Sequence, residues 1–296
     1  MTIPLSNLEM IWNTIMSMEE NTDPFDPEKI KGYTFEDIYQ SMPQAFKIKE
    51  DPRPVTNRMY DWTFKEKVCD VNNSTTYIPR KVVTSQYATF PPQNQLIGSC
   101  GGEAGSNLME RLENQTHGLT FPAAQSSLSG QYLYWWAEQL DNHPEEGTYG
   151  WAVCEALRKY GVCRMEKYQQ SRTYKEFLKW IPSLDACADA KTRLIHSYYS
   201  ITDVREIAIA LQKGMGIWMS LECHTGWNRP VITLPQPGDR WLGGHAIEPE
   251  DIDLDKEEIN FQNSWGLTVG DGSGHQRVSF EYWKRYGIEC RAIRWK

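Results

Sequence analysis

The chain has 296 residues, 40% hydrophobic and 24% charged, with 12 Trp, 15 Tyr and 9 Phe, a composition too aromatic for a disordered protein. Its formal net charge is −8 with acidic and basic residues interspersed, which offers no basic face for phosphates and argues against nucleic acid or an anionic membrane as a main partner. The amino terminus has no basic region and its apolar residues are interrupted by Asn7, Glu9 and Asn13; no other segment has the ~18 apolar residues of a membrane span, so a soluble cytoplasmic protein without a signal peptide is expected.

Residues 1–76 differ in pattern from the rest of the chain. An apolar stripe through Leu5, Leu8, Ile11, Trp12, Ile15 and Met16 predicts an amphipathic helix, followed by Pro- and Asp-rich stretches. A lone helix cannot bury such a face, so this extension is expected to pack on the protein's own cleft, as a pro-segment does, or on a protein partner. From Tyr77 onward the pattern is that of one domain, 77–296. Helices are predicted over 100–114, 127–140 and 149–160, the last stopped by Gly161, with a shorter one over 203–213. Beyond Gly214, Ile217-Trp-Met-Ser-Leu, Ile259-Asn-Phe-Gln and Arg277-Val-Ser-Phe read as strands. Helices first and strands second make an α+β arrangement.

The seven cysteines are an odd number, with no C-x-x-C pair and no zinc spacing, and read as mostly reduced core thiols. Cys154 and Cys163 flank the third helix and could pair in an oxidising setting, which spacing alone does not establish. The run Asp251-Ile-Asp-Leu-Asp-Lys-Glu-Glu lacks the glycine and end carboxylate of a calcium loop and reads as a solvated hairpin. His224 and His275 belong to no motif and read as structural or surface residues.

Three segments carry chemistry. Pro91-Pro-Gln-Asn-Gln-Leu-Ile-Gly-Ser-Cys100 ends a Gly/Pro loop and opens a helix at the cysteine, where unpaired N–H groups and the helix dipole favour thiolate. Gly243-Gly244-His245-Ala246 brings a histidine into a predicted strand, and Asn263-Ser-Trp265-Gly comes after the next strand. Cys, His and Asn in that order supply a nucleophile, a base for its proton, and an acceptor that fixes the base's tautomer.

At these residues the chain resembles the papain-like cysteine peptidases, especially their bacterial and phage-type members. Asn94-Gln95 with Gly98-Ser99-Cys100 is similar to the family's nucleophile loop, Gly243-Gly-His-Ala to its base segment, and Asn263-Ser-Trp-Gly matches unchanged. Leu128-Ser129 with Tyr132-Leu-Tyr-Trp and Glu146-Gly147-Thr148-Tyr149 through Cys163 resemble its second and third helices. The likeness covers about residues 77–290. It implies a two-lobed fold, helical on the left and β-barrel-like on the right, with the cleft between them and an amino-terminal extension.

The resemblance further implies a peptidase in which Cys100 and His245 form an imidazolium–thiolate pair and Asn263 orients the base. Gln95 would face the oxyanion, Trp265 would cover the His245–Asn263 bond, and Gly147, Thr148 and Gly244 would line the substrate. The partner is then a peptide or protein substrate, and the chemistry needs no metal or other cofactor. A second reading is a catalytically inactive relative, a structural or binding protein, for instance in a phage particle, which would place it in a virion instead of the cytoplasm. Departures from the family pattern frame that alternative. Gln95 stands five positions before Cys100, one fewer than usual; Gly101-Gly102 weakens the helix start; and Glu103 lies one turn beyond the thiol. After His245 the family's apolar strand gives way to Glu248-Pro-Glu-Asp, which predicts a short strand for the base.

Overall fold

The computed structural model describes residues 48–49, 63–87, 91–117, 127–141, 146–270 and 272–296. The amphipathic stripe expected over residues 5–16 lies outside the described residues. α1 (Phe64–Lys67) is set by a capping box in which Thr63 and Glu66 satisfy each other's backbone N–H groups. Phe64 and Val71 are buried in the right-hand core, although the sequence pattern groups them with the extension.

The three predicted helices form as α2 (Cys100–His117), α3 (Gly130–Asp141) and α4 (Gly150–Lys159). They enclose the left-hand core, in which Leu108, Leu112, Leu133, Val153 and Leu157 are fully or almost fully buried. Glycines let the helices approach. A Cβ on Gly102 would sit 2.2 Å from the Gly130 carbonyl oxygen, and one on Gly105 would sit 2.5 Å from Leu133 Cδ2. Gly102, one of the pair that lowers helix propensity, thus permits with Gly105 a crossing that no larger residue allows. α5 (Tyr174–Phe177) and α6 (Leu184–Ala190) complete this lobe through Phe177, Ala186 and Ala190.

Among the described residues the right lobe is an eight-stranded sheet. Its order is β4 (Ile195–Ser200), β10 (Gly287–Trp295), β5 (Gly216–His224), β7 (Trp241–Asp253), β8 (Glu258–Gln262), β9 (His275–Ser279) and β6 (Val231–Ile232), with β2 (Lys81–Val83) paired to the far end of β7. The pairings in this sheet are antiparallel except β6 with β9. α7 (Val204–Gln212), opened by an Asp203/Glu206 capping box, and α8 (Phe280–Tyr286) pack on it. β1 (Ile48–Lys49) and β3 (Thr148–Tyr149) make a separate parallel pair beside β7.

One strand departs from the sequence-based expectation. β7 is not short but runs for 13 residues, with Glu248 and Glu250 fully buried. The polar run is accommodated because β7 crosses α2, which meets Glu248 with the guanidinium of Arg111. The two lobes also join where Trp218 Nε1 donates to the Gly101 carbonyl at 3.0 Å.

Candidate active site

The loop leading to Cys100 is held by the segment just beyond β8. Asn94 bridges Trp265, Gln95 N donates to the Ser264 carbonyl at 2.8 Å, and Gly266 N donates to the Gln93 carbonyl at 2.9 Å. Gln95 is buried; its Oε1 accepts from Ser264 Oγ at 2.5 Å and its Nε2 donates to the Ile97 carbonyl at 3.3 Å. Gly98 N donates to Glu146 Oε1 at 2.6 Å, tying this loop to the opposite wall.

His245 is fully buried on β7 and its Nε2 lies 2.9 Å from Asn263 Oδ1. The direction of that bond can be traced to the backbone. Gln276 Nε2 donates to the carbonyls of Trp227 at 2.6 Å and Arg229 at 2.8 Å, which can only accept. Gln276 Oε1 is thereby turned to Asn263 Nδ2, at 2.6 Å, and Asn263 Oδ1 is left for the imidazole. Nε2 carries the proton, and Nδ1 is the basic nitrogen. Trp265 stacks on the ring at 4.5 Å between centroids, and Trp227 meets it edge-on at 5.6 Å.

Cys100 opens α2 and is 1% exposed. Its sulfur lies against the backbone N–H of Ala246, the residue after His245, and the N–H of Gly101. Burial pushes the thiol up to about 12, these N–H groups oppose the shift, and the Glu103 charge adds to it. Burial likewise pushes His245 down to about 4, against the pull of Asn263. The charged pair expected from the sequence is thus disfavoured in this closed arrangement, because neither side chain reaches water to stabilise its charge. Glu103 is buried, accepts from Ser99 Oγ at 3.0 Å, and is pushed up to about 7 by burial.

On the facing wall Gly147 has φ 113°, a left-handed conformation suited to glycine, and its N–H donates to Tyr134 Oη at 2.6 Å. The Thr148 side chain is buried and donates to Asp141 Oδ2 at 2.7 Å, so Thr148 offers its backbone. That backbone is paired with Ile48, and Tyr149 with Lys49. Gly244 pairs with Glu222 one residue before His245. Ser264, Gln276, Trp227, Tyr134 and Glu146 belong to the site by these bonds and ring contacts, and no motif flags Gln276 or Trp227. A cavity of ≈ 540 Å³ bounded by Trp283, Lys284 and Arg291 contains none of these residues.

All seven cysteines are free thiols. His224 accepts from Gly226 N at 2.9 Å in a turn, and residues 253–258 form the hairpin between β7 and β8. Among the described residues no helix is long and apolar enough to cross a membrane, and no group of three or more His, Cys, Asp or Glu is arranged to hold a metal ion.

This architecture is the two-lobed papain-like fold. Xylellain, a cysteine protease from Xylella fastidiosa, superimposes with a TM-score of 0.72 at 18% identity, over 86% of this chain and 97% of that one. Procathepsin L 3 from the larval midgut of Tenebrio molitor gives 0.62 at 12% identity over 99% and 100%. Bromelain from Ananas comosus gives 0.53 at 15% identity over 74% and 100%. No protein-family model matches the sequence. No curated protein matches it either.

Proposed function

We propose that the chain is a cysteine peptidase of the papain type that cleaves peptide bonds through Cys100, His245 and Asn263. The observation that carries this reading is the hydrogen-bonded chain from backbone carbonyls through Gln276 and Asn263 to His245, which leaves Nδ1 as a base on the strand that meets Cys100. In the reaction Cys100 Sγ loses its proton to His245 and attacks the peptide carbonyl, with the negative charge moving to the carbonyl oxygen. The Cys100 backbone N–H would stabilise that oxygen, joined by Gln95 Nε2 once it turns from the Ile97 carbonyl to which it donates; one such donor is generally worth about 3 to 4 kcal/mol in the transition state. His245 then protonates the leaving amine, a thioester remains on Cys100, and water attacks it with His245 again taking the proton. Gly147, the Thr148 backbone and Gly244 line the substrate. The substrate is a peptide or protein, and the bacterial and phage-type members of the family are those its motifs resemble.

β1 lies along the backbone of this wall, which supports reading residues 1–76 as a pro-segment over the cleft. The raised thiol and lowered imidazole favour a second reading, a catalytically inactive binding or structural protein. Alkylation with iodoacetamide at pH 6, read peptide by peptide by mass spectrometry, separates the two. The peptidase reading expects Cys100 to label ahead of the other six cysteines and His245→Ala to slow that labelling by about 10²-fold or more. A Cys100 no faster than the other thiols, together with no peptide cleavage, would leave only the fold.

A further inference from the structure

The polar run after His245, which the papain-like mechanism does not use, meets its partners inside the protein. Arg111 Nε lies 2.5 Å from Glu248 Oε1, and both side chains are fully buried. Arg111 Nη1 donates to Thr84 Oγ1 at 3.0 Å, and Thr84 Oγ1 in turn donates to the Glu250 carbonyl. Glu250 is also fully buried, and from the far side His275 Nε2 on β9 stands 3.3 Å from its Oε2. Asp251 completes the acidic set, but its carboxylate is engaged by Thr84 N at 2.8 Å and Ser85 N at 2.9 Å. Among the described residues Arg111 Nη2, Glu248 Oε2 and both Glu250 oxygens have no hydrogen-bond partner, although His275 pairs electrostatically with Glu250.

Arg111 is on the helix that begins at Cys100, and Glu248 is three residues from His245 on the same strand. We propose that Arg111, Glu248 and Glu250 are positioning residues, a buried clamp that fixes the helix carrying Cys100 against the strand carrying His245. This rests on the peptidase reading above. An ion pair with no access to water is a poor source of net stability but a specific one, since it accepts one register and penalises others. Its strength depends on pH. Two buried carboxylates face one guanidinium, so the charges balance only when the carboxylates hold one proton or His275 is charged. Burial pushes both carboxyls up against the pull of Arg111, and His275 opposes the shift at Glu250. Raising the pH removes that proton and leaves an uncompensated buried charge, which loosens the clamp.

Two variants test this in the full chain. Glu250→Gln keeps the shape and removes the second charge; the fall in Tm between pH 6 and 9 is expected to shrink, with Cys100 labelling at pH 9 rising relative to the parent. Arg111→Met with Glu248→Met replaces the pair by apolar residues, a change that generally preserves folding. That protein is expected to melt cooperatively yet label Cys100 about tenfold more slowly at pH 6, since a displacement near 1 Å costs up to about 10²-fold. Labelling at the parental rate in the double variant, or an unchanged Tm profile in Glu250→Gln, would overturn the proposal. Should the double variant not fold, the Glu250→Gln profile decides alone. An unreactive Cys100 in the parent would instead remove the peptidase reading, and the Tm profile would still report on the clamp.

Discussion

The proton on His245 is placed by residues that touch neither sulfur nor substrate. Gln276 bonds to Asn263 and to the carbonyls of Trp227 and Arg229, and this fixes which end of the Asn263 amide faces the ring. Gln276→Leu would free Asn263 to turn its amino group toward His245 and reverse the tautomer. Cys100 labelling at pH 6 is expected to slow about as much in Gln276→Leu as in Asn263→Ala, and less in both than in His245→Ala. Equal rates in Gln276→Leu and the parent would show that Asn263 holds its orientation unaided. Asn263 was legible in the sequence because its neighbours Ser264, Trp265 and Gly266 are local in the chain. Gln276 was not, since one glutamine in an alternating strand looks like any other.

At the scale of elements the informative strand is the two-residue β1. It lies parallel to β3, and the residues it pairs with are those that would hold a substrate backbone. Removal of residues 1–60 takes β1 away but keeps α1, whose Phe64 belongs to the core. Cys100 in this truncated protein is expected to react faster with iodoacetamide than in the full chain, and unchanged reactivity would point to a partner-binding arm instead. The principal helices were legible from their 3.6-residue periodicity. The length of β7 was not, because Glu248 and Glu250 break the apolar pattern and become buried only opposite Arg111, 137 positions away from Glu248.

For the whole molecule, buried carboxyls set the pH response. Burial raises Glu103 to about 7, Glu110 to about 8 and Glu138 to about 8. In each case the native state binds more protons than the unfolded chain above the ordinary carboxyl value of 4.5, so stability is lost as pH rises from there to these values. His245 works the other way: its lowered value costs stability as pH falls from 6.5 to about 4. Burial raises Glu206, Glu248 and Glu250 as well and lowers His224 alongside His245, so the raised carboxyls outweigh the lowered imidazoles and predict a higher Tm near pH 5 than near pH 8, measurable by calorimetry. Glu138→Gln should flatten that slope, since its Tyr134 and Tyr174 partners are retained by an amide. A Tm that rises from pH 5 to 8 would mean that these groups are hydrated in solution.

The sequence by itself determined the order of helices and strands and the identities at Cys100, His245 and Asn263, because periodicity and short motifs are properties of neighbours along the chain. Tertiary structure alone decided that β1 pairs with Thr148 and Tyr149, that Gly102 is where two helices cross, and that Arg111 meets Glu248. It also decided the burial of Cys100, which pushes the thiol up against the preference for thiolate that its place at the start of a helix supplies. Desolvation depends on what the folded chain packs around a group, and residues far apart in sequence supply that packing.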